Sequence, residues 1–351
     1  MSFKKKILFL YSELAGYSVS CINNYIDNNP ENEVHIIRWP LNSEAPFNFV
    51  FHDHVFIHEK NSLDILEYTK KIKPDLVICS GWFDKEYLSV VKKIHGTIHS
   101  VLMFDNYWEG SIRQKIGRVI LPYSVTKYFD YAWVPGELQG IYARKIGFKE
   151  SQLFYGFYAT DLSKFDSIYQ EKLTHKADDY PKQFLYVGRY LTLKGVEDLW
   201  TAFEKFSIKN PEWELHCAGT GQLFDSKKIH PRIVHHGFVQ PDELRHIAEA
   251  SGVLVMPSHY DHWGMAVQEF AAAGLPLICS DTVGAASVFL EENKNGFSFK
   301  AKDVDNLEEI LHKVASLPTQ TLLEFGKKSN ELSSLYTMET WATTLNEILS
   351  K

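Results

Sequence analysis

Residues 253–280 read VLVMPSHYDHWGMAVQEFAAAGLPLICS. A short apolar run ends at Pro257, a polar turn follows, and an apolar helical pattern opens near Gly264. Gly274 and Pro276 then lead into a second apolar run. Apolar strands on either side of a helix are typical of a βαβ unit. This stretch therefore predicts an α/β domain with a parallel sheet in the C-terminal half of the chain.

The whole chain alternates short apolar runs with longer amphipathic segments, as successive βα units do. Its 351 residues exceed the usual length of one domain, so two Rossmann-like domains are predicted. A polar stretch of roughly residues 160–182, which contains Pro181, is interpreted as the linker between a domain of residues 1–165 and a domain of residues 180–336. An amphipathic helix in residues 337–351 follows a complete second domain and is expected to cross back to the first.

Strands are expected where short apolar runs lie between turn-forming residues. In the first domain these runs are 6–11, 34–38, 76–79, 99–104 and 131–134. In the second domain they are 184–187, 214–218, 233–236, 253–256, 277–280 and 296–299. Two such domains facing each other across a cleft would make a good nucleotide site, because α/β proteins bind ligands outside the carboxyl ends of their strands.

Composition excludes several classes of protein. Hydrophobic residues make up 45% of the chain and charged residues 23%, which fits a folded globular protein. The net charge is −7, and residues 1–165 hold 19 Lys/Arg against 18 Asp/Glu, so the acidic excess lies in the second half. A nucleic-acid-binding protein would show a basic excess, and none is present. Four widely separated cysteines indicate buried free thiols, and no apolar run is long enough for a membrane span.

The turn after Pro257 is the first place where chemistry is expected. Backbone N–H groups and the positive dipole end at a helix start favour a diphosphate, and Gly264 allows a ligand to approach the backbone closely. Glu269 follows about one and a half turns into the helix, where its carboxylate can accept hydrogen bonds from a ribose diol. The structural alternative is a capping Asp261 and a solvated Glu269.

Two cations follow the apolar run at 184–187. The loop reads Gly188-Arg189-Tyr190-Leu191-Thr192-Leu193-Lys194-Gly195. At the carboxyl end of a strand, Arg189 and Lys194 can flank one diphosphate and stabilise the charge that develops on it as a sugar departs. Taken alone, both could also be ordinary surface charges.

In their order and spacing these motifs resemble the retaining glycosyltransferases of family 4, which have the GT-B fold. The resemblance covers about residues 184–311. It rests on Gly188-Arg189 with Lys194-Gly195, Asp261 through Gly264 to Glu269, Gly274 with Pro276, Ser280 through Gly284, and Asn295-Gly296.

The resemblance implies that Arg189 and Lys194 hold the donor diphosphate and that Glu269 holds the ribose. The turn of His262, Trp263, Gly264 and Met265 is implied to supply backbone donors to the sugar or the phosphate. Asp261 stands where the family has a glutamate facing the donor sugar, and this departure withdraws the carboxylate by one methylene. Gly219 and Gly221 match a position that lines the base pocket in the family, with a simple turn as the alternative.

The first domain matches the family only in outline. Gly16 lies in the loop after the first strand, where relatives have a glycine near the donor phosphates. Many relatives have a histidine at about the position of Phe104 that contacts the sugar. Asp105 is the nearest polar candidate here, with a capping role as the alternative. Acceptor contacts are expected from Trp82, Asp105, Asn106, Trp108 and Arg113, although an aromatic residue at these positions could equally belong to the core.

A helix predicted at 112–117 leads into a segment that combines basic and apolar residues. Arg113, Lys115 and Arg118 accompany Ile112, Ile116, Val119, Ile120 and Leu121. Either the segment offers a basic amphipathic face to anionic lipid or to an acceptor phosphate, or it packs on its own domain.

No metal or other cofactor is expected. His259, Asp261 and His262 share one turn without further obvious ligands, and His52-Asp53-His54 is interpreted as a polar loop. The resemblance implies chemistry without a metal, with a nucleotide sugar carrying UDP or GDP as the substrate.

The sequence therefore predicts a retaining transferase that moves a sugar from a nucleotide-diphosphate donor to a hydroxyl of a glycan or lipid-linked acceptor. Synthesis of a glycan, lipopolysaccharide or surface polysaccharide is the expected setting, in the cytoplasm or peripherally at the inner face of a membrane. Two alternatives stay open, a nucleotide-sugar epimerase and an accessory subunit that binds the donor with weak catalysis. Plain NAD-dependent oxidoreduction is disfavoured because no G-x-G-x-x-G follows a predicted strand.

Overall fold

The computed structural model describes residues 4–40 and 50–351. It divides the chain into two compact units. Unit 1 consists of Met1–Asp161 together with Tyr336–Lys351, and unit 2 of Leu162–Leu335. Each unit is an α/β domain built on one parallel sheet, as the alternating pattern predicts.

The sheet of unit 1 has seven parallel strands in the order β3-β2-β1-β4-β5-β6-β7. The order reverses between β1 and β4, and the carboxyl ends of strands at such a switch point form a crevice that suits a ligand. The strands are β1 (Lys6–Tyr11), β2 (Glu33–Arg38), β3 (Val55–Glu59), β4 (Leu76–Ser80), β5 (His99–Met103), β6 (Tyr131–Val134) and β7 (Leu153–Tyr155). The helices between them are α1 (Gly16–Asn28), α2 (Ile65–Ile72), α3 (Lys85–Ile94), α4 (Ile112–Ser124) and α5 (Glu137–Lys145).

Unit 2 repeats this architecture with six parallel strands in the order β10-β9-β8-β11-β12-β13. Its switch point lies between β8 and β11. The strands are β8 (Gln183–Val187), β9 (Glu214–Ala218), β10 (Ile233–Gly237), β11 (Val253–Met256), β12 (Leu277–Ser280) and β13 (Gly296–Phe299). The helices are α6 (Ser163–Asp178), α7 (Val196–Ser207), α8 (Pro241–Glu249), α9 (Met265–Ala272), α10 (Ala286–Phe289), α11 (Val304–Ala315) and α12 (Thr319–Ser333).

Helix α6 occupies most of the stretch interpreted as a linker. In this helix the ring of Phe165 lies 5.6 Å from the ring of Phe270 in α9, and Ile168 is fully buried. Asn330 of α12 donates a hydrogen bond to Asp166 over 2.8 Å. Contacts with the rest of unit 2 therefore stabilise α6. Its own sequence is too polar to show a clear helical period.

The last helix, α13 (Met338–Leu349), belongs to unit 1, as the sequence predicts. Trp341 is buried, and its ring lies 5.1 Å from that of Trp133 in β6. The indole N–H of Trp341 donates a hydrogen bond to the carbonyl of Phe157 over 3.1 Å. The crossing helix thus completes the core on one face of the first sheet.

All four cysteines are buried and unpaired, as their apolar surroundings predict. Burial raises the pKa of the Cys21 and Cys79 thiols, which keeps them protonated and unreactive. Within residues 4–40 and 50–351, no helix is both long enough and apolar enough to cross a bilayer.

Candidate functional site

Two loops meet at the switch point of unit 2. Because β8 and β11 are neighbours in the sheet, the loop that follows β8 lies beside the loop that follows β11. The backbone N–H of His259 donates to the carbonyl of Leu193 over 2.9 Å. Gly195 has φ of +64°, and a Cβ there would lie only 1.9 Å from the carbonyl oxygen of Pro257. A glycine is therefore required where the two loops touch.

An ion pair joins the loops at their centre. The Lys194 ammonium lies 2.6 Å from Oδ2 of Asp261, and the same oxygen accepts a hydrogen bond from Ser258 Oγ over 3.3 Å. Asp261 is only 8% exposed, and its carbonyl accepts from the N–H of Gly284. The structure thus holds Asp261 against Lys194 and explains the carboxylate as a partner of that cation.

Arg189 differs from Lys194 in having no ion pair or side-chain hydrogen bond with any residue in the described ranges. Its side chain is exposed, while its carbonyl oxygen accepts a hydrogen bond from the Tyr186 hydroxyl over 2.8 Å. The loop backbone is therefore fixed while the guanidinium remains uncompensated. Such a group can bind an anion without first breaking an internal interaction.

A cavity of about 250 Å³ opens beside Arg189. Gly188, Gly219 and Thr220 supply its backbone side, and a Cβ at Gly219 would lie 1.9 Å from the Gly188 carbonyl. Its apolar side was not anticipated from the sequence and consists of Phe238, Val239 and Leu244, just after β10 and within α8. The only sequence signal for it was an apolar pair, Phe238-Val239, directly after a strand-ending glycine.

Gly221 does not line this cavity, although it was predicted as a donor contact. Its φ is +151°, and a Cβ would lie 2.6 Å from the carbonyl of Tyr190. The glycine therefore serves the close packing of two loops.

The turn before α9 contributes backbone geometry more than side chains. Gly264 has φ of +91° and precedes the first helical residue, Met265. Trp263, predicted as a donor residue, is 3% exposed, and its ring packs 5.9 Å from that of Phe289. Its side chain is thus part of the core of unit 2. His262 is half-buried, with its ring 4.8 Å from that of Tyr260.

Glu269 lies in the second turn of α9 and is half-buried. Burial raises the pKa of its carboxyl group from 4.5 to about 7. No side chain or backbone donor within the described residues pairs with this carboxylate. A buried carboxylate without a donor is unfavourable, so a hydroxyl-bearing ligand would find an acceptor there.

Unit 1 has its own cavity, of about 380 Å³, at the carboxyl ends of β1, β4 and β5. Asp105 and Asn106, two of the residues predicted to contact the acceptor, line this cavity. The Tyr158 hydroxyl donates to Oδ2 of Asp105 over 2.9 Å, which holds the carboxylate in place. Glu13 is the other charged lining residue, so the described wall carries two acids and no base. Glu13 and Tyr158 were not anticipated from the sequence.

Four other predicted residues of unit 1 lie outside the lining of that cavity. Trp82 packs edge-on against Phe104, and Trp108 packs beside Tyr142 with the Lys145 ammonium 4.9 Å from its ring. Both tryptophans therefore contribute to packing. Arg113 is exposed on α4, and Gly16 begins α1 between two lining residues without lining the cavity itself.

The histidine clusters considered as metal sites have other partners. His259 Nε2 lies 2.6 Å from Oδ2 of Asp198 in α7, and Asp261 is paired with Lys194. His52 Nδ1 accepts from the N–H of His54 within one turn. Across the residues that the structure describes, no group of three or more His, Cys, Asp or Glu side chains is arranged to hold a metal ion.

Part of the chain is similar in sequence to known glycosyltransferases. Residues 169–332 match the family model described as glycosyl transferases group 1. A glycogen synthase of Mycobacterium tuberculosis is 29% identical over 177 residues, which cover 48% of this chain and 42% of the relative. The matched region thus spans less than half of the length of that relative. The range matched by the family model, 169–332, includes the switch point of unit 2.

Solved structures resemble the chain over nearly its whole length. A sucrose-phosphate synthase from Thermosynechococcus elongatus superposes with a TM-score of 0.73 at 17% identity, covering 98% of each chain. Anabaena HepE in complex with UDP gives a TM-score of 0.71 at 14% identity, covering 98% of this chain and 99% of the other. The protein therefore has the GT-B fold, and within its second unit residues 169–332 match the family model of glycosyl transferases group 1.

Proposed function

We propose that the protein is a retaining, metal-independent glycosyltransferase whose donor, a nucleotide-diphosphate sugar with UDP or GDP, binds at the switch point of unit 2. The observation that carries the proposal is the uncompensated guanidinium of Arg189 at the edge of the 250 Å³ cavity. The apolar side of that cavity suits a nucleobase. The diphosphate of the same nucleotide would then extend out of the cavity toward the Arg189 guanidinium.

The remaining parts of a nucleotide are accounted for by neighbouring groups. Glu269 offers an unpaired carboxylate to the ribose hydroxyls. The N–H groups in the first turn of α9 and the Lys194 ammonium follow strands that are neighbours in the sheet, and both can bind phosphate oxygens. Lys194 is then shared between Asp261 and the diphosphate, and Asp261 keeps it oriented.

In the proposed reaction, the bond between the anomeric carbon and the β-phosphate oxygen breaks while the acceptor hydroxyl oxygen bonds to that carbon on the same face. The hydroxyl proton passes to an oxygen of the departing diphosphate, and a nucleoside diphosphate leaves. Negative charge grows on the diphosphate as the bond breaks. Arg189 and Lys194 stabilise that charge more in the transition state than in the bound donor.

The cavity of unit 1 is the proposed acceptor site. Aromatic faces such as Tyr17 and Phe83 can pack on a sugar ring, while Asp105 and Glu13 can accept hydrogen bonds from hydroxyl groups. These acids favour an uncharged hydroxyl acceptor in a glycan or lipid-linked glycan, and a role in glycan, lipopolysaccharide or surface polysaccharide synthesis. Peripheral contact with a membrane through unit 1, at its cytoplasmic face, is part of the same proposal.

The proposal can be tested by calorimetric titration with UDP-, GDP-, ADP- and CMP-sugars. We expect one nucleotide to bind selectively. The variants Arg189→Ala and Glu269→Ala should weaken its binding. The control Lys209→Ala, an exposed position just after the C-terminal end of α7, should not. Donor consumption without an acceptor would indicate an epimerase. Tight binding without turnover on any hydroxyl acceptor would indicate an accessory subunit, and no binding at all would refute the assignment of the site.

A further inference from the structure

Helix α4 is attached to unit 1 along one narrow side. The Gln114 amide donates to the Tyr107 carbonyl over 2.7 Å, and Leu121 packs against the core. Gly117 lies between them and faces the Tyr142 hydroxyl. No residue of α4 is fully buried. Most of this 13-residue helix is thus on the surface of the protein.

The opposite side of the helix is apolar and exposed. Its five large side chains are between 53% and 78% exposed, and we call them the α4 face: Ile112, Ile116, Val119, Ile120 and Tyr123. At about 100° of rotation per residue they fall within an arc of roughly 100°. Single exposed apolar residues are common on protein surfaces, whereas a continuous apolar stripe indicates a binding surface.

Basic side chains border the α4 face. Arg113 lies along one edge of the stripe and Lys115 along the other, whereas Arg118 lies toward the opposite side of the helix. All three are exposed, and none forms a salt bridge with another described residue. The sequence contains no Asp or Glu between Gly110 and Phe129. Helix α4 itself therefore carries three cations and no acid.

We propose that the α4 face docks unit 1 onto an anionic phospholipid surface. The apolar stripe would enter the boundary between headgroups and acyl chains, with the helix parallel to the membrane plane. Arg113 and Lys115 are long enough to reach lipid phosphates from the two edges of the stripe. The sequence alone left two roles open for this helix, packing on its own domain or contact with lipid, and this proposal assigns it the second.

A second copy of the chain fits this surface less well. In a symmetric dimer the same patch meets itself, so the bordering cations of one copy, Arg113 and Lys115, would meet those of the other. Juxtaposed like charges oppose association, whereas anionic lipid neutralises them. Charge complementarity therefore selects the membrane.

The test is flotation of the full chain with vesicles of phosphatidylcholine containing about one third phosphatidylglycerol, and with phosphatidylcholine alone. We expect binding to the anionic vesicles that weakens as salt is raised. The double variant Ile116→Asn/Val119→Asn should reduce the bound fraction about tenfold, because two apolar side chains no longer partition. The variant Arg113→Gln/Lys115→Gln/Arg118→Gln should lose the preference for anionic lipid.

A matched control is available in unit 2. Ile208 and Ile229 are 79% and 82% exposed, so Ile208→Asn/Ile229→Asn removes similar apolar surface elsewhere and should bind vesicles normally. Melting curves confirm that each variant folds. The proposal is overturned if the unaltered chain ignores both vesicles, or if it binds them equally with and without the α4 changes. It is also overturned if the double variant instead converts a dimer to a monomer. No sugar donor is needed, so the result is independent of glycosyl transfer.

Discussion

Replacing Glu269 with glutamine should stabilise the free protein above neutral pH and leave it unchanged in mild acid. The carboxyl group is half-buried, and no described residue donates a hydrogen bond to it. Burial therefore raises its pKa from 4.5 to about 7. Glutamine matches the neutral carboxyl group in shape and charge, so it differs from glutamate mainly where the carboxyl is ionised.

The size of the effect follows from the two pKa values. Between pH 4.5 and about pH 7 the folded protein keeps a proton that the unfolded chain has released. The free energy of unfolding therefore falls as the pH rises through this window, and the full penalty is present above it. The difference corresponds to roughly 3 kcal/mol, with partial exposure of the side chain reducing it toward about 2 kcal/mol.

Urea unfolding at about pH 5 and about pH 8.5 measures this difference. Glu269→Gln should gain about 2 to 3 kcal/mol at the higher pH and much less at the lower. The exposed Glu347→Gln in α13 is the control and should show no such dependence. An equal gain at both pH values, or no gain at either, would refute the explanation by burial.

The same carboxyl group predicts how nucleotide binding depends on pH. Ribose hydroxyls stabilise the ionised carboxylate, so binding should lower its pKa and release a proton. The affinity for a UDP- or GDP-sugar should therefore increase as the pH rises toward about 7, level off above it, and become independent of pH in Glu269→Gln. Calorimetry in two buffers of different ionisation enthalpy would detect the proton release.

Three further predictions concern the loops around the cavity. Arg189→Ala should lower kcat by about 100- to 1,000-fold with an unchanged melting temperature, because the guanidinium has no described protein partner to lose; a well-folded variant with normal transfer would contradict its role. Gly195→Ala should destabilise unit 2 by about 3 kcal/mol or more in urea unfolding, since its Cβ would meet the Pro257 carbonyl. Gly96→Ala has a similar positive φ with nothing within 4 Å and should cost only about 1 kcal/mol, so equal losses would exclude the loop contact as the cause. Phe238→Ser should weaken nucleotide binding about tenfold by titration without affecting folding, and unchanged affinity would place the base elsewhere.

Local apolar patterns were sufficient for most of the secondary structure. The predicted strands 214–218, 253–256 and 277–280 coincide with β9, β11 and β12, whose residues are mostly buried. The edge strands β3 and β7 were missed because one is largely exposed and the other has three residues. Each offers only three consecutive apolar residues, 55–57 and 153–155, a run too short to predict a strand.

Helix α4 shows a different limit. The sequence predicted it only to residue 117, but it continues through Gly117 and Pro122 to Ser124. Helix-breaking residues suggested an earlier end. The helix persists because Leu121 packs on the core of unit 1 and because the residues between Gly117 and Pro122 keep the helical period.

For the candidate site, the sequence by itself determined which chemical groups follow which strands. Arg189, Lys194, Asp261 and Glu269 were all identified from their spacing and their resemblance to a family. Spacing along the chain is visible in a sequence because it depends only on local structure.

The tertiary structure decided which of these groups are free to act. It paired Lys194 with Asp261, 67 residues away, and left Arg189 exposed without a described partner. It placed Trp263 in the core and brought Phe238 to the cavity. Pairing and burial depend on contacts between distant segments, and the pKa of Glu269 depends on the desolvation that those contacts produce. These pairings, the burial of each side chain and the pKa of Glu269 are therefore determined only once the sheet and its loops are packed.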